Sequence, residues 1–189
     1  LGAPQSETGG YTPKLDWLPG PKLRFALGLS DLRAGRYAEA WLPANLIFDQ
    51  FSLKLTVQIT NTLAAHSAIT NGSVTSLGMN HWEIQFPGRF TALSLMLEIH
   101  ATDALESLTD TVLLPVSGNV VTIEAWKPAG TGTNLTTQIN NIKGFLTDNE
   151  NDYGAYVHGN RFVAFFNGSG GMEYEGGTTT STGALLHET

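Results

Sequence analysis

Phe162-Val163-Ala164-Phe165-Phe166 carries an apolar side chain at every position. Successive residues of a strand point to opposite faces, so a run with no polar residue belongs to a strand covered above and below, not to a sheet with one wet side. Upstream of it, Leu135, Ile139, Ile142 and Leu146 recur at helical spacing behind Thr133 or Asn134 as a candidate N-cap. Before that helix, Val120 to Trp126 reads as a strand ended by Lys127-Pro128-Ala129-Gly130. Strand, amphipathic helix and doubly covered strand in this order are the opening of an α/β domain.

Toward the N-terminus the pattern changes to period-two alternation. Leu53, Leu55, Val57 and Ile59 alternate with Lys54, Thr56, Gln58 and Thr60, and Leu93, Leu95, Leu97 and Ile99 alternate with Ser94, Met96, Glu98 and His100. Each is expected to be a strand with one face buried and the other wet. Further strands are expected at Leu23 to Leu29, Tyr37 to Leu42, Trp82 to Phe86 and Thr111 to Leu114, separated by Ala34-Gly35, Asn71-Gly72 and Pro87-Gly88 turns. Pro4, Pro13, Pro19 and Pro21 keep the first residues out of helix and central strand. The chain therefore reads as mainly β: an irregular arm over 1–22, an antiparallel β-sandwich over 23–118, and an incomplete α/β domain over 119–189.

Composition removes several functions. Ten Lys and Arg against seventeen Asp and Glu leave a net charge of −7, a poor balance for reading phosphates, so no nucleic-acid partner is expected. No apolar run approaches the ~20 residues that span a bilayer, so no membrane partner is expected and the chain reads as soluble, with secretion or the periplasm left open. The absence of Cys excludes disulfides, thiolate catalysis and iron–sulfur ligation, leaving His and carboxylates as the strong metal ligands. Sequons at Asn71, Asn134 and Asn167 carry little weight in a chain so rich in Asn, Ser, Thr and Gly.

After the doubly covered strand comes a glycine loop, Asn167-Gly168-Ser169-Gly170-Gly171, and Met172-Glu173-Tyr174-Glu175 reads as a short returning strand. Ser181 or Thr182 then offers an N-cap for a helix beginning at Gly183, within which the sequence stops at Thr189. That position suggests a fragment of a longer polypeptide. His187-Glu188 lies early in this helix. A zinc peptidase helix carries His at i and i+4 with a Glu at i+1 as general base, and this sequence supplies i and i+1.

Gly170-Gly171-Met172-Glu173-Tyr174 followed by a helix with His187-Glu188 resembles the gluzincin zinc aminopeptidases, which carry Gly-x-Met-Glu-Asn before a His-Glu-x-x-His helix, and their glycyl aminopeptidase relatives. Tyr174 stands where the family has Asn. By motif the resemblance covers residues 120–189; over 23–118 it rests on architecture alone. It implies a thermolysin-like catalytic domain behind a β-sandwich and a peptide substrate held by its free N-terminus. It also assigns roles: Glu173 to the α-amino group, Gly170, Gly171 and Met172 to the strand lying beside the substrate, His187 to the first zinc ligand, and Glu188 to the general base. The remaining zinc ligands and the Tyr that stabilises the tetrahedral intermediate would lie beyond Thr189, in the rest of the catalytic domain.

Each of these residues also has a plainer reading. His187 and Glu188 suit a solvated helix end, Glu173 and Glu175 suit an edge strand that deters aggregation, and the glycines suit a hairpin. His66, His81, His100 and His158 read as structural or surface residues, and the four Trp as core aromatics. Two other functions stay open: a non-catalytic β-sandwich module that binds peptide or glycan, and a glycosidase using two of Glu173, Glu175 and Glu188. Because one His gives at most one protein ligand where catalytic zinc usually takes three, residues 1–189 alone are expected to bind no stoichiometric zinc and to hydrolyse no peptide. Metal analysis of the dialysed protein tests this, and one tightly held zinc per chain would overturn it.

Overall fold

The computed structural model describes residues 50, 52–60, 62–91, 94–168 and 171–189, together with the backbone of Phe25–Leu27. The arm over 1–22, the strand expected at Tyr37–Leu42, Trp17, Trp41 and Gly170 lie outside the described residues.

Two three-stranded antiparallel sheets come first. One has the order β1 (Phe25–Leu27), β6 (Leu97–Ala101), β3 (His66–Thr70), and the other β2 (Leu53–Gln58), β5 (His81–Phe86), β4 (Ser73–Gly78). Trp82, Ile84, Phe86, Phe90, Leu95, Leu97 and Ile99 fill the space between them. In β2 the expected alternation holds residue by residue, Leu53, Leu55 and Val57 half-buried and their neighbours exposed. A third sheet has the order β10 (Met172–Tyr174), β11 (Gly177–Thr180), β9 (Arg161–Phe166), β8 (Val120–Pro128), β7 (Leu105–Leu113). β8, β9 and β11 run parallel and the two outer strands antiparallel. Helix α1 (Leu135–Tyr153) supplies the crossover between β8 and β9, capped by Asn134, whose side chain accepts from Thr137 N–H at 3.0 Å.

β9 shows why these parts pack as layers. Phe162, Ala164 and Phe166 join Leu135, Ile139, Ile142 and Leu146 under α1. Val163 and Phe165, on the opposite face, pack with Ile69 and Met96 of the sandwich. The doubly covered strand is thus covered by the helix on one side and by the β3–β6 sheet on the other. This corrects the expectation at Leu93–His100: the face carrying Met96 and Glu98 is not wet, since both are buried beneath the third sheet. Glu98 is bonded to His100 Nε2 at 2.7 Å, and the His100 ring lies 4.8 Å from Phe165. The strand expected at Thr111–Leu114 among the sandwich strands is instead the end of β7, which pairs with β8 across the Gly118 turn. The change of sheet falls earlier, between β6 and β7, at the short helical turn Thr102–Ala104.

Polar contacts fix the layers in register. The Arg161 guanidinium forks onto Glu124, with Nε at 2.6 Å from Oε1 and a terminal nitrogen at 2.9 Å from Oε2. Its other terminal nitrogen donates to the carbonyls of Thr70 and Gly72 at 2.8 and 2.9 Å, in the turn from β3 to β4. Buried Glu150, near the end of α1, accepts from the N–H groups of Val116, Ser117 and Tyr156. Burial raises its pKa, but the hydrogen bonds outweigh burial and bring it to about 2.

Replacing Arg161 by Met would leave Glu124 without its fork and two carbonyls without donors, and hydrogen bonds to charged groups contribute about 1.5–3 kcal/mol each at best. Arg161→Met is expected to lower the melting temperature by roughly 5–10 °C, read by calorimetry at pH 7; an unchanged transition would show that the fork does not hold the layers together.

Candidate active site

The acidic segment forms because β11 gives it a partner. β11 is buried at every position although its sequence is Gly177-Thr178-Thr179-Thr180, with no apolar side chain to announce it. Thr178 Oγ1 donates to Met172 O at 3.2 Å and Thr180 Oγ1 to Ser181 O at 3.0 Å, so the buried hydroxyls are satisfied. β10 pairs with this strand as Met172↔Thr179, Glu173↔Thr178 and Tyr174↔Gly177, which places Glu173 on the outermost strand of the sheet.

The chain leaves β11 through a turn closed by Ala184 N–H, which donates to Ser181 O and Oγ at 3.2 and 3.3 Å. Helix α2 (Leu185–Glu188) begins two residues later than the sequence suggests, and its N-cap is Ala184, without a side-chain cap bond. Leu185 drops into the core beneath α1. Residues three apart on a helix share a face, so anchoring Leu185 turns Glu188 inward and leaves Leu186 and His187 exposed. Glu188 is only 8% exposed, and its Oε2 is buried with no hydrogen-bond partner.

Three of the expected site residues therefore meet. The Glu188 carboxyl lies against the bare Cα of Gly171, where an added Cβ would fall 2.6 Å from Glu188 Cγ and closer still to the carboxyl. The Glu173 side chain lies close enough to interact with it. Burial, then the bond to Glu173 and its charge, push the Glu188 pKa up. A bond from its own backbone N–H, and that with Glu188, pull the Glu173 pKa down. The two shifts run in opposite directions, so Glu173 is the more readily ionised of the two carboxyls. The exposed imidazole of His187 lies near enough for its charge to favour ionisation of both. Met172 is half-buried on the same strand.

Zinc does not fit this donor set alone. Among the described residues no group of three or more His, Asp or Glu side chains is placed to hold a metal ion, and His187 supplies a single imidazole. Glu175 is separate from the pair. It sits in the β10–β11 turn, bound to Arg89 Nε at 2.6 Å, with His158 Nδ1 at 3.5 Å. Sequence reasoning missed Asn71, Arg89, Tyr156 and His158 around this turn. Their positions are scattered along the chain, and no spacing rule links them.

The sign of the pH dependence follows from the pair. A raised carboxyl pKa means that Glu188 favours the fold at low pH and loses that contribution as pH rises through its folded value. Glu188→Gln keeps the shape without a group that ionises against burial and Glu173, so it is expected to raise the melting temperature at pH 7 by roughly 2–4 °C. The gain should shrink to nothing below pH 4. Thermal scans across this range check it, and a destabilised variant at pH 7 would show that the carboxyl is instead held ionised.

No protein-family model matches this chain, and no curated protein matches it either. Solved structures do. An M1 zinc metallopeptidase from Deinococcus radiodurans is 20% identical with a TM-score of 0.54, over 74% of this chain and 32% of that one. A two-domain M1 zinc metallopeptidase, in a mutant form bound to L-tryptophan, is 19% identical with a TM-score of 0.52, over 74% of this chain and 33% of that one. A mutant form of the Deinococcus radiodurans metallopeptidase bound to a Tyr-Ser-Ala substrate is 19% identical with a TM-score of 0.51, over 71% and 30% of the two chains. The chain thus spans about a third of the length of the solved chains it matches. At these identities the likeness establishes the fold: a mainly β chain built like part of an M1 zinc metallopeptidase.

Proposed function

We propose that this chain is the N-terminal portion of a zinc-dependent aminopeptidase, acting on peptides through their free N-terminus. The observation that carries the reading is the meeting of Glu188 with Gly171 and Glu173, two segments that the resemblance assigns to one cleft. The likeness to M1 zinc metallopeptidases supports it from the fold side. In this reading the edge of β10 lies beside the substrate backbone, and the bare Cα of Gly171 lets the Glu188 carboxyl close against that edge.

The acid pair divides the chemistry. Glu173, held ionised, is suited to pair with an ammonium group, an interaction worth about 1.5–3 kcal/mol as a charge-assisted hydrogen bond. Glu188, whose pKa is pushed up by burial, is the better proton acceptor of the two. Its unpartnered Oε2 is the atom that would take the proton of an attacking water. Zinc, when bound in the longer protein, would supply Lewis-acid activation of water and of the scissile carbonyl; in this reading His187 contributes one ligand to it.

The test is hydrolysis of aminoacyl reporters by the complete gene product. Glu188→Gln and prior chelation should each reduce kcat by at least ~100-fold. Glu173→Gln should mainly raise KM, and an N-acetylated reporter should be refused. Equal rates for wild type, Glu188→Gln and chelated protein would remove the assignment.

A further inference from the structure

The strand that carries Glu173 is weakly specified by its own sequence. β10 has three residues, pairs on one side only, and returns to β11 through the two-residue connection Glu175-Gly176. Two-residue hairpins favour turns with positive φ at the first or at both central residues, because those match the twist of the strands. Here Gly176 has φ of 68° and Glu175 is not among the positive-φ residues, so this turn is not one that holds a hairpin by itself. Its restraints come from outside.

Both ends of Glu175 are gripped by the sandwich. Its carboxylate receives Arg89 Nε at 2.6 Å, just beyond β5, and its carbonyl accepts from Asn71 Nδ2 at 2.9 Å, in the β3–β4 turn. Asn71 is itself fixed, since Nδ2 also donates to Ser94 O at 2.6 Å and Oδ1 accepts from Met96 N–H at 2.9 Å. Behind the turn, Gly176 O accepts from Val163 N–H at 3.1 Å. A Cβ on Gly176 would lie 3.5 Å from the Tyr156 hydroxyl and 3.3 Å from Arg161 O, which leaves the turn little room to shift. The Tyr156 ring in turn meets His158 edge-on at 5.2 Å.

We infer that Arg89 and Asn71 are positioning residues: the β-sandwich, through its two contacts to Glu175, sets the place and register of β10 and so aims Glu173 at its ligand. This rests on the amine-binding reading of Glu173 and adds a task for the sandwich. The Arg89 side chain is 45% exposed and that of Glu175 17%, so the pair is part-buried and its loss is expected to be felt first at the β10–β11 turn it holds. What it restrains is the outermost strand of the sheet, three residues long and paired on one side only.

Two measurements decide the matter. In the 189-residue protein, Arg89→Met is expected to speed amide hydrogen exchange in Met172–Tyr174 by about tenfold or more while leaving β8 and β9 unchanged. Arg89→Lys should restore part of the protection. In the complete gene product, Arg89→Met should raise KM for an aminoacyl reporter by roughly fivefold to tenfold with kcat within about twofold of wild type, the same direction as Glu173→Gln. Asn71→Ala is the second variant, expected to act alike. If Glu173→Gln raises KM and Arg89→Met changes neither KM nor exchange, positioning is overturned and amine binding stands. If Glu173→Gln leaves KM unchanged, or the wild type is inactive, amine binding falls and takes the aiming role with it.

Discussion

A strand buried on both faces needs two covers, and β9 obtains one from its own crossover helix and the other from the sandwich. The constraint is geometric. Phe162, Ala164 and Phe166 are forced to the helix side by the pleat, so Val163 and Phe165 must be covered by something else. Ile69 and Met96 provide it, and the face of β6 that would otherwise be wet becomes an internal surface. Arg161 lies on that same face and completes the joint with directional bonds, since its fork to Glu124 lies within one sheet and its two remaining contacts cross to the β3–β4 turn. Dispersion and burial bring the layers together without choosing a register. The guanidinium, with its fixed fan of donors, chooses one.

The same joint organises the acidic edge. Because β11 docks parallel to β9, the β10–β11 turn comes to lie over the β3–β4 turn, where Asn71 and Arg89 reach Glu175. At the other end of the hairpin, Leu185 pulls α2 under α1 and swings Glu188 onto Gly171 and Glu173. The result is locally unfavourable: two carboxyls in contact, one of them buried with an oxygen unpartnered. Groups arranged against their own stability mark functional sites more often than structural ones.

Much of this was legible in the residue pattern. Alternation located β2 and part of β6, helical spacing located α1 with Asn134 as one of two candidate caps, and the all-apolar run located β9 with its two covered faces. The signals that failed share one cause. β11 has no apolar side chain, β3 has few, and the β6 face with Met96 and Glu98 looks polar enough for water; in each case burial is imposed by a neighbour distant in sequence. The helix expected from Gly183 begins instead at Leu185 because the turn before it is closed by Ser181.

For the site, the chemistry of Glu173, His187 and Glu188 and their order along the chain were set by the sequence. That Glu188 faces inward while His187 faces solvent was decided by where Leu185 finds its core, and that Glu175 binds Arg89, apart from the acid pair, was decided by how two sheets stack. Residue type fixes what a side chain can donate, accept or ionise. Which groups meet depends on the closest packing of layers whose contacts run between residues as far apart as Asn71 and Glu175, and no local rule reaches that distance.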